Sequence, residues 1–170
     1  MASIIKANQL QDFGGNSILT SDGAGKLTTQ KINYPAFHAT VSATQAIAQD
    51  TTTLVQFNSE VFDTDSCYDT SAYTFTPNKA GKYYIYSMVR YETSTDFQSS
   101  QMYIYKNSST VCYVVSPNEH YSKLSAQAIV DCNGTTDTVS IYVRQESGAG
   151  SLNLTSTNTQ AFFYGYRLGA

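Results

Sequence analysis

Short runs of β-branched and aromatic residues, separated by turn residues, follow one another along most of the chain. No segment long enough for a helix shows a helical hydrophobic period. Glycine, proline and asparagine interrupt the runs, for example at residues 77–81 and 148–150. The pattern predicts ten strands, at residues 34–41, 53–57, 72–77, 81–92, 101–107, 110–115, 122–131, 136–145, 151–154 and 160–168. An all-β sandwich or barrel is therefore expected.

The segment 81–92 is apolar on both faces, unlike a strand that has one face in water. Because side chains alternate along a strand, they form two sets: Tyr84, Tyr86 and Met88 on one face, and Tyr83, Ile85 and Val89 on the other. One face can fill the core of the sandwich. The other face needs either a second subunit or a larger core that covers both faces. Tyrosine suits a subunit contact because its ring buries while its hydroxyl keeps a hydrogen bond.

Residues 1–33 have a different pattern and are predicted to form a separate N-terminal arm. Segments 17–20 and 26–28 flank the glycine-rich stretch 21–25, which predicts a hairpin. A piece of this length cannot bury a core of its own, so its apolar side chains need another surface. We expect these side chains to dock the arm on a partner: Ile4, Ile5, Leu10, Phe13, Ile18 and Leu19. The alternatives are a frayed tail and a strand added to the sheet of the main domain, residues 34–170.

The chain has few charged residues, which reduces the classes of binding partner that we expect. Charged residues make up 14% of the chain, whereas soluble domains average roughly 25%. The net charge is −3 and the 10 lysines and arginines are scattered, so nucleic acid is not expected as a partner. No run approaches the roughly 20 apolar residues of a membrane helix, and the start has no secretory leader. We therefore expect a protein made in the cytoplasm that does not insert into a membrane.

The residues able to carry chemistry form no recognisable catalytic motif. Neither histidine, His38 or His120, has a nucleophile motif near it, so no enzyme activity and no cofactor are predicted. His38 is expected to be packed or at the surface, and His120 to lie in an exposed polar loop. Asp63, Asp65 and Asp69 lack the spacing of an EF-hand. A looser calcium site at these aspartates is the alternative to the prediction of no metal.

The chain has three cysteines, Cys67, Cys112 and Cys132, in positions far apart along the sequence. An odd number without metal-ligand spacing argues against a disulfide framework or a zinc site. Free cysteines are usually buried, so buried and reduced thiols are predicted. A disulfide between Cys112 and Cys132 is the alternative.

Residues 34–169 resemble the C1q/TNF-like jelly-roll domain. The resemblance rests on landmarks that occur in the family's order: Pro35-Ala36-Phe37, Val55-Gln56-Phe57-Asn58, Tyr68-Asp69, Tyr73-Thr74-Phe75, Gly81-Lys82-Tyr83-Tyr84-Ile85, Tyr105-Lys106-Asn107 and Phe163-Tyr164-Gly165-Tyr166-Arg167-Leu168. It implies a ten-stranded, two-sheet jelly roll that binds rather than catalyses. It also implies a compact homotrimer with one sheet facing the threefold axis.

Because of this resemblance, we interpret the second apolar face of segment 81–92 as a contact between subunits. The residues predicted to form the trimer interface are Tyr84, Tyr86, Tyr103, Tyr105, Phe163 and Tyr166. The chain departs from the family in two ways. It has no collagen-like Gly-x-y repeat. The usual Pro-Gly-Asp turn is replaced by residues 133–137, which puts the family's calcium site in doubt.

A second resemblance concerns the arm. Its start, Met1-Ala2-Ser3-Ile4-Ile5-Lys6, followed by short strands between glycines and aspartates, is similar to the virion-attachment ends of bacteriophage structural proteins. The expected function is therefore a non-enzymatic capsid decoration (cement) protein on the virion surface. It would be a homotrimer whose arms dock on the major capsid protein or another virion protein.

Two other functions remain open. A receptor-binding tip of a head or tail fibre would contact a host surface receptor. It would need a long shaft, whereas the arm spans at most roughly 110 Å when fully extended. A soluble C1q-like recognition module would bind a glycan or a protein through the aromatic and amide residues of segment 113–121.

Overall fold

A computed structural model describes residues 7–25, 27–29 (backbone only), 35–92, 98–117 and 123–169 of the chain. All regular secondary structure in these residues is β-strand, and no helix occurs among them. Accordingly, none of these segments is an apolar helix of the length needed to cross a membrane. The chain divides into two compact units, Met1–Asn33 and Tyr34–Ala170, which are considered in turn.

The first unit contains a three-stranded antiparallel sheet. Its strands are β1 (Gln9–Gln11), β2 (Ser17–Ser21) and β3 (Leu27–Thr29), with β2 in the middle. The predicted hairpin is confirmed, since β2 pairs with β3 from Leu19↔Thr29 to Ser21↔Leu27. The pattern missed β1, which has only three residues and a single apolar side chain.

The second unit contains two antiparallel sheets that pack as a sandwich. The first sheet consists of β4 (Ala36–Thr40), β5 (Gln45–Ile47), β7 (Ser59–Asp63), β10 (Ala80–Glu92), β13 (Lys123–Asn133), β15 (Leu152–Leu154) and β16 (Phe162–Gly169). The second consists of β6 (Thr53–Leu54), β8 (Tyr68–Asp69), β9 (Thr74–Phe75), β11 (Ser99–Lys106), β12 (Ser109–Pro117) and β14 (Val139–Glu146). The predicted all-β, two-sheet jelly roll is confirmed.

The long strand β10 organises the first sheet. One of its edges pairs with β13 along almost the whole strand, and the other pairs with β16 and then with β15. Beyond β16 follow β4 and β7, which gives the spatial order β13-β10-β16-β4-β7. In the second sheet, β11 lies between β12 and β14.

The core lies between the sheets and is rich in aromatic rings. On β10, Tyr83, Ile85 and Val89 are fully buried, so theirs is the face of this strand that fills the core. Phe37 on β4 stacks on Phe75, with ring centroids 4.4 Å apart, and several other rings surround it. Each such side chain contributes about 1.5–3 kcal/mol on burial, so these rings hold the two sheets together.

Two glycines are required by close backbone approach. A Cβ on Gly165 would lie 2.7 Å from the Ile85 Cδ1 atom and 3.1 Å from the Tyr84 carbonyl oxygen. Gly134 has a φ of +75°, and a Cβ there would lie 2.1 Å from the Ala80 backbone nitrogen. These contacts explain glycine in the final strand and in the turn after β13.

Each of the ten predicted strands overlaps a strand of the structure, and β5, β7 and β8 were not predicted. These three strands have only two to five residues, and most of their side chains are not buried. They form because neighbouring strands offer free backbone groups, a tertiary effect that local hydrophobic patterning does not record.

Candidate interaction surfaces

One outer face of the sandwich carries a broad apolar surface, which we call the aromatic plate. It forms where β13, β10, β16, β4 and β7 turn side chains away from the core. Its members are Ile129, Tyr84, Tyr86, Phe162, Tyr164, Tyr166, His38 and Phe62. All eight are partly or largely exposed, although seven of them have aromatic rings.

The rings of the plate are packed against one another. Tyr86 stacks on Tyr164 with ring centroids 5.2 Å apart, and Phe162 lies against both rings. Tyr84 contacts Tyr166 at 5.5 Å. The plate is therefore ordered before any partner binds, although Tyr166 remains 44% exposed. A contiguous exposed apolar surface of this kind marks an interaction site.

His38 lies within the plate among aromatic rings. Its ring faces Phe62, Phe162 and Tyr164, with centroids 6.0–6.1 Å away. Its Nε2 atom is buried, with no hydrogen-bond partner in the described part of the chain. Burial lowers the pKa of His38, which favours the neutral ring. Two shallow depressions open on either side of it.

The structure places three of the six predicted interface residues on the plate: Tyr84, Tyr86 and Tyr166. The prediction for Phe163 is wrong, because this side chain is fully buried in the sandwich core. Side chains alternate along β16, so Phe162 and Tyr164 face outward instead. The sequence already indicated that Phe163 and Tyr166 cannot share one surface. They are three positions apart, and an odd separation places two side chains on opposite faces of a strand.

The other two predicted interface residues lie on the opposite sheet. Tyr103 and Tyr105 of β11 join Tyr113 of β12 and Tyr142 of β14 in a second cluster, which we call the tyrosine row. Tyr103 stacks on Tyr113 at 5.0 Å, and Tyr105 lies 4.6 Å from Tyr142. Tyr103 and Tyr105 are therefore not part of the surface that carries the other three residues.

The predicted docking residues of the arm fall partly within the described chain. Leu10 is 53% exposed and Ile18 is 46% exposed, whereas Leu19 is half-buried. Phe13, in the turn between β1 and β2, is fully exposed. Ile4 and Ile5 lie outside the described residues, as does His120. The first unit therefore leaves Leu10, Phe13 and Ile18 exposed to solvent.

The acidic residues of segment 63–69 form contacts within their loops. Both Asp63 carboxylate oxygens accept backbone hydrogen bonds, from Asp65 at 3.1 Å and Tyr68 at 2.6 Å. The Asp69 carboxylate accepts hydrogen bonds from the backbone nitrogens of Ser71 and Ala72. Within the described ranges, no three acidic, histidine or cysteine side chains are grouped to hold a metal ion.

The three cysteines are free thiols. Cys67 and Cys132 are buried, and Cys112 is partly exposed on β12. Burial raises the pKa of Cys132 to about 11 and also raises that of Cys67. Both thiols therefore stay protonated at neutral pH, which makes them poor nucleophiles.

A buried carboxylate ties together the loops at one end of the sandwich. Asp137 accepts hydrogen bonds from the Asn107 side chain at 2.6 Å and the Asn133 backbone at 2.8 Å. It also forms an ion pair with Lys106 at 2.9 Å. The pKa of Asp137 is lowered to about 2. The hydrogen bond from the Asn107 side chain is the largest cause, and the one from Lys106 is the second.

The lowered pKa of Asp137 predicts that the folded protein loses stability in acid. The folded pKa of about 2 lies below the ordinary value of 3.8. The unfolded chain therefore takes up the proton first, and the stabilisation present above pH 3.8 is lost as the pH falls through about 2. Asp137→Asn should unfold at a lower temperature than the wild type at pH 5, and the gap should narrow at pH 2. Circular dichroism measures both melting curves, and a gap independent of pH would contradict this role.

The comparisons with known proteins agree with this geometry. The chain matches the C1q domain over residues 36–168. No curated protein sequence matches it. Among solved structures, murine APRIL is 12% identical in sequence, with a TM-score of 0.63. The match covers 80% of this chain and 100% of the APRIL chain. The globular domain of the zebrafish complement 1qA protein is 18% identical with a TM-score of 0.57, covering 79% and 98%.

A viral protein also shares the fold. The PRD1 vertex protein P5 is 12% identical with a TM-score of 0.55, and the match covers 80% of this chain and 96% of that one. At such identities the likeness to solved structures shows the fold alone. The family match covers most of the chain, from β4 to β16. The chain belongs to the C1q domain family.

Proposed function

We propose that this chain is a non-enzymatic structural protein of a virion. In this proposal it forms a homotrimer through the aromatic plate and decorates the capsid surface through its N-terminal unit. The observation that carries the proposal is the plate, because a monomer would leave all of its rings in contact with water. Domains of the C1q and TNF type are generally non-enzymatic, which fits a binding role.

The chemistry of the plate supports contact between identical copies. None of its eight members carries a full charge at neutral pH, so association buries no unpaired ion. In a cyclic trimer, residues nearest the axis meet their own copies, and tyrosine rings can stack there while their hydroxyls keep hydrogen bonds. C1q/TNF-like domains are typically homotrimers, which also supports three copies.

Two observations support a place on a virion. The PRD1 vertex protein P5 has the same fold and is, by its name, part of a viral vertex. The first unit exposes Leu10, Phe13 and Ile18, as a docking element would. Three such units on one trimer would bind neighbouring capsid subunits together, so weak single contacts become strong by avidity.

The receptor-binding tip is a second candidate, and the tyrosine row favours it. The row lies on the sheet opposite the plate, so trimer formation through the plate leaves it accessible. Tyr113 is 51% exposed and is flanked on β12 by the exposed Val111 and Val115. A trimer held by the plate would present three such rows to a host receptor.

Binding to particles that lack this protein separates the two candidates. A full-length variant with Leu10→Ser, Phe13→Ser and Ile18→Ser should remain a trimer but no longer co-sediment with particles. Deletion of residues 1–33 should give the same result. The matched control, Tyr113→Ser, should bind particles like the wild type. If the deletion variant still binds particles, the docking role is wrong. Binding of the intact protein to host cells but not to particles would favour the receptor-binding tip.

A further inference from the structure

Phe13 stands apart from the other exposed apolar side chains of the described chain. Its relative exposure is 110%, whereas the other large hydrophobic side chains on the surface range from 41% to 62%. Single exposed hydrophobic residues are common on protein surfaces. A phenylalanine fully in water is different, because burying it would be worth about 1.5–3 kcal/mol. Its exposure therefore needs an explanation in the turn that holds it.

The turn from Asp12 to Asn16 is braced by hydrogen bonds at both ends. The Asp12 backbone nitrogen donates to the Asn16 carbonyl oxygen at 2.8 Å, and the Gly15 nitrogen donates to the Asp12 carbonyl oxygen at 3.0 Å. The Asn16 backbone nitrogen donates to Asp12 Oδ1 at 2.8 Å, and its side-chain amide donates to Asp12 Oδ2 at 2.9 Å. The backbone that carries Phe13 is therefore fixed before a partner arrives.

The brace does not depend on pH near neutrality. The hydrogen bonds from the Asn16 side chain and backbone lower the pKa of Asp12, so its carboxylate stays ionised and keeps accepting them.

The residues that follow Phe13 leave its ring open to approach. Gly14 and Gly15 have no side chains, and Gly15 has a φ of +80°, a conformation that favours glycine. A Cβ on Gly15 would meet no atom within 4 Å. The Phe13 ring therefore projects into solvent next to two residues without side chains. A single projecting ring is better complemented by a pocket than by a flat surface.

We propose that Phe13 is the anchor of the arm and that its partner is a closed apolar pocket in a capsid protein. This inference rests on the proposed function and names the chemistry of the docking contact. A second copy of this chain is the competing source of a pocket. The two depressions beside His38 are shallow and open on the aromatic plate, which the proposed trimer would cover, so neither offers Phe13 a closed pocket. In line with the proposed function, the pocket is assigned to a capsid protein. A preformed turn reduces the entropy lost on binding, which increases the contribution of a single ring.

The test measures affinity of full-length variants for particles that lack this protein, by co-sedimentation. Phe13→Ala should weaken binding by about 10- to 100-fold per arm, while Phe13→Leu should retain most of the affinity. Asn16→Ala, which keeps the ring but loosens the brace, should give an intermediate loss. The matched control is Val115→Ala, which shortens a half-exposed apolar side chain on the second unit and should bind normally.

Two results would overturn the anchor role. If Phe13→Ala binds like the wild type while deletion of residues 1–33 abolishes binding, the arm docks but Phe13 is not its anchor. If Phe13→Ala instead changes the oligomeric mass in the absence of particles, the ring belongs in a second copy of this chain. If the deletion variant also binds like the wild type, the proposed capsid docking itself is wrong.

Discussion

Replacing Tyr164 with glutamate should convert the proposed trimer into a folded monomer. Tyr164 lies in the middle of the aromatic plate, with its ring against Tyr86, Phe162 and His38. In a trimer the substitution would bury one carboxylate per copy among aromatic rings. Of the plate members, His38 alone could pair with it, and burial favours its neutral form. The penalty in real proteins is several kcal/mol per ion, and three copies multiply it. Size-exclusion chromatography with light scattering measures the change in mass.

The matched control is Tyr105→Glu on the tyrosine row. Tyr105 is also a partly exposed tyrosine in a stack of rings, but it lies on the second sheet. If the plate alone forms the interface, the control stays trimeric and Tyr164→Glu does not. Loss of the trimer in the control but not in Tyr164→Glu would assign the interface to the tyrosine row. Far-ultraviolet circular dichroism confirms that both variants are folded.

Phe163→Ala should destabilise the second unit far more than Phe162→Ala, although the two residues are adjacent. Phe163 is fully buried and contacts the rings of Phe37, Phe57 and Tyr68. Truncating a buried phenylalanine leaves a cavity and costs about 3–5 kcal/mol of unfolding free energy. In a domain of this size that corresponds to roughly 10 °C in melting temperature.

Phe162 faces the plate, so its loss should leave the fold intact and weaken association instead. Thermal melting monitored by circular dichroism gives the stability of each variant, and dilution followed by light scattering gives the trimer dissociation. Equal melting temperatures for the two variants would show that β16 does not alternate as described. A trimer as tight as the wild type in Phe162→Ala would place the interface elsewhere.

The sequence predicts the features that depend on alternation within one strand. The opposite faces of residues 81–92 follow from a period of two, and the structure places Tyr83 in the core and Tyr84 on the plate. Which sheet a strand joins depends on long-range pairing, which that period does not report. Alternation alone therefore does not separate Tyr103 and Tyr105 from Tyr84, although they lie on the other sheet.

The arm shows a different limit. The hairpin of β2 and β3 follows from a local glycine-rich turn, and local signals of that kind are readable. The brace around Phe13 depends on an aspartate and an asparagine four residues apart, whose hydrogen bonds are visible only in three dimensions. The identity of the surface that receives the arm depends on a partner chain, so no feature of this sequence specifies it.

The molecular mass of the intact protein in solution tests the central claim most directly. Native mass spectrometry should give three times the 18.6 kDa of the chain for the wild type, and once that mass for Tyr164→Glu. A wild type that remains at 18.6 kDa at micromolar concentration would contradict association through the aromatic plate.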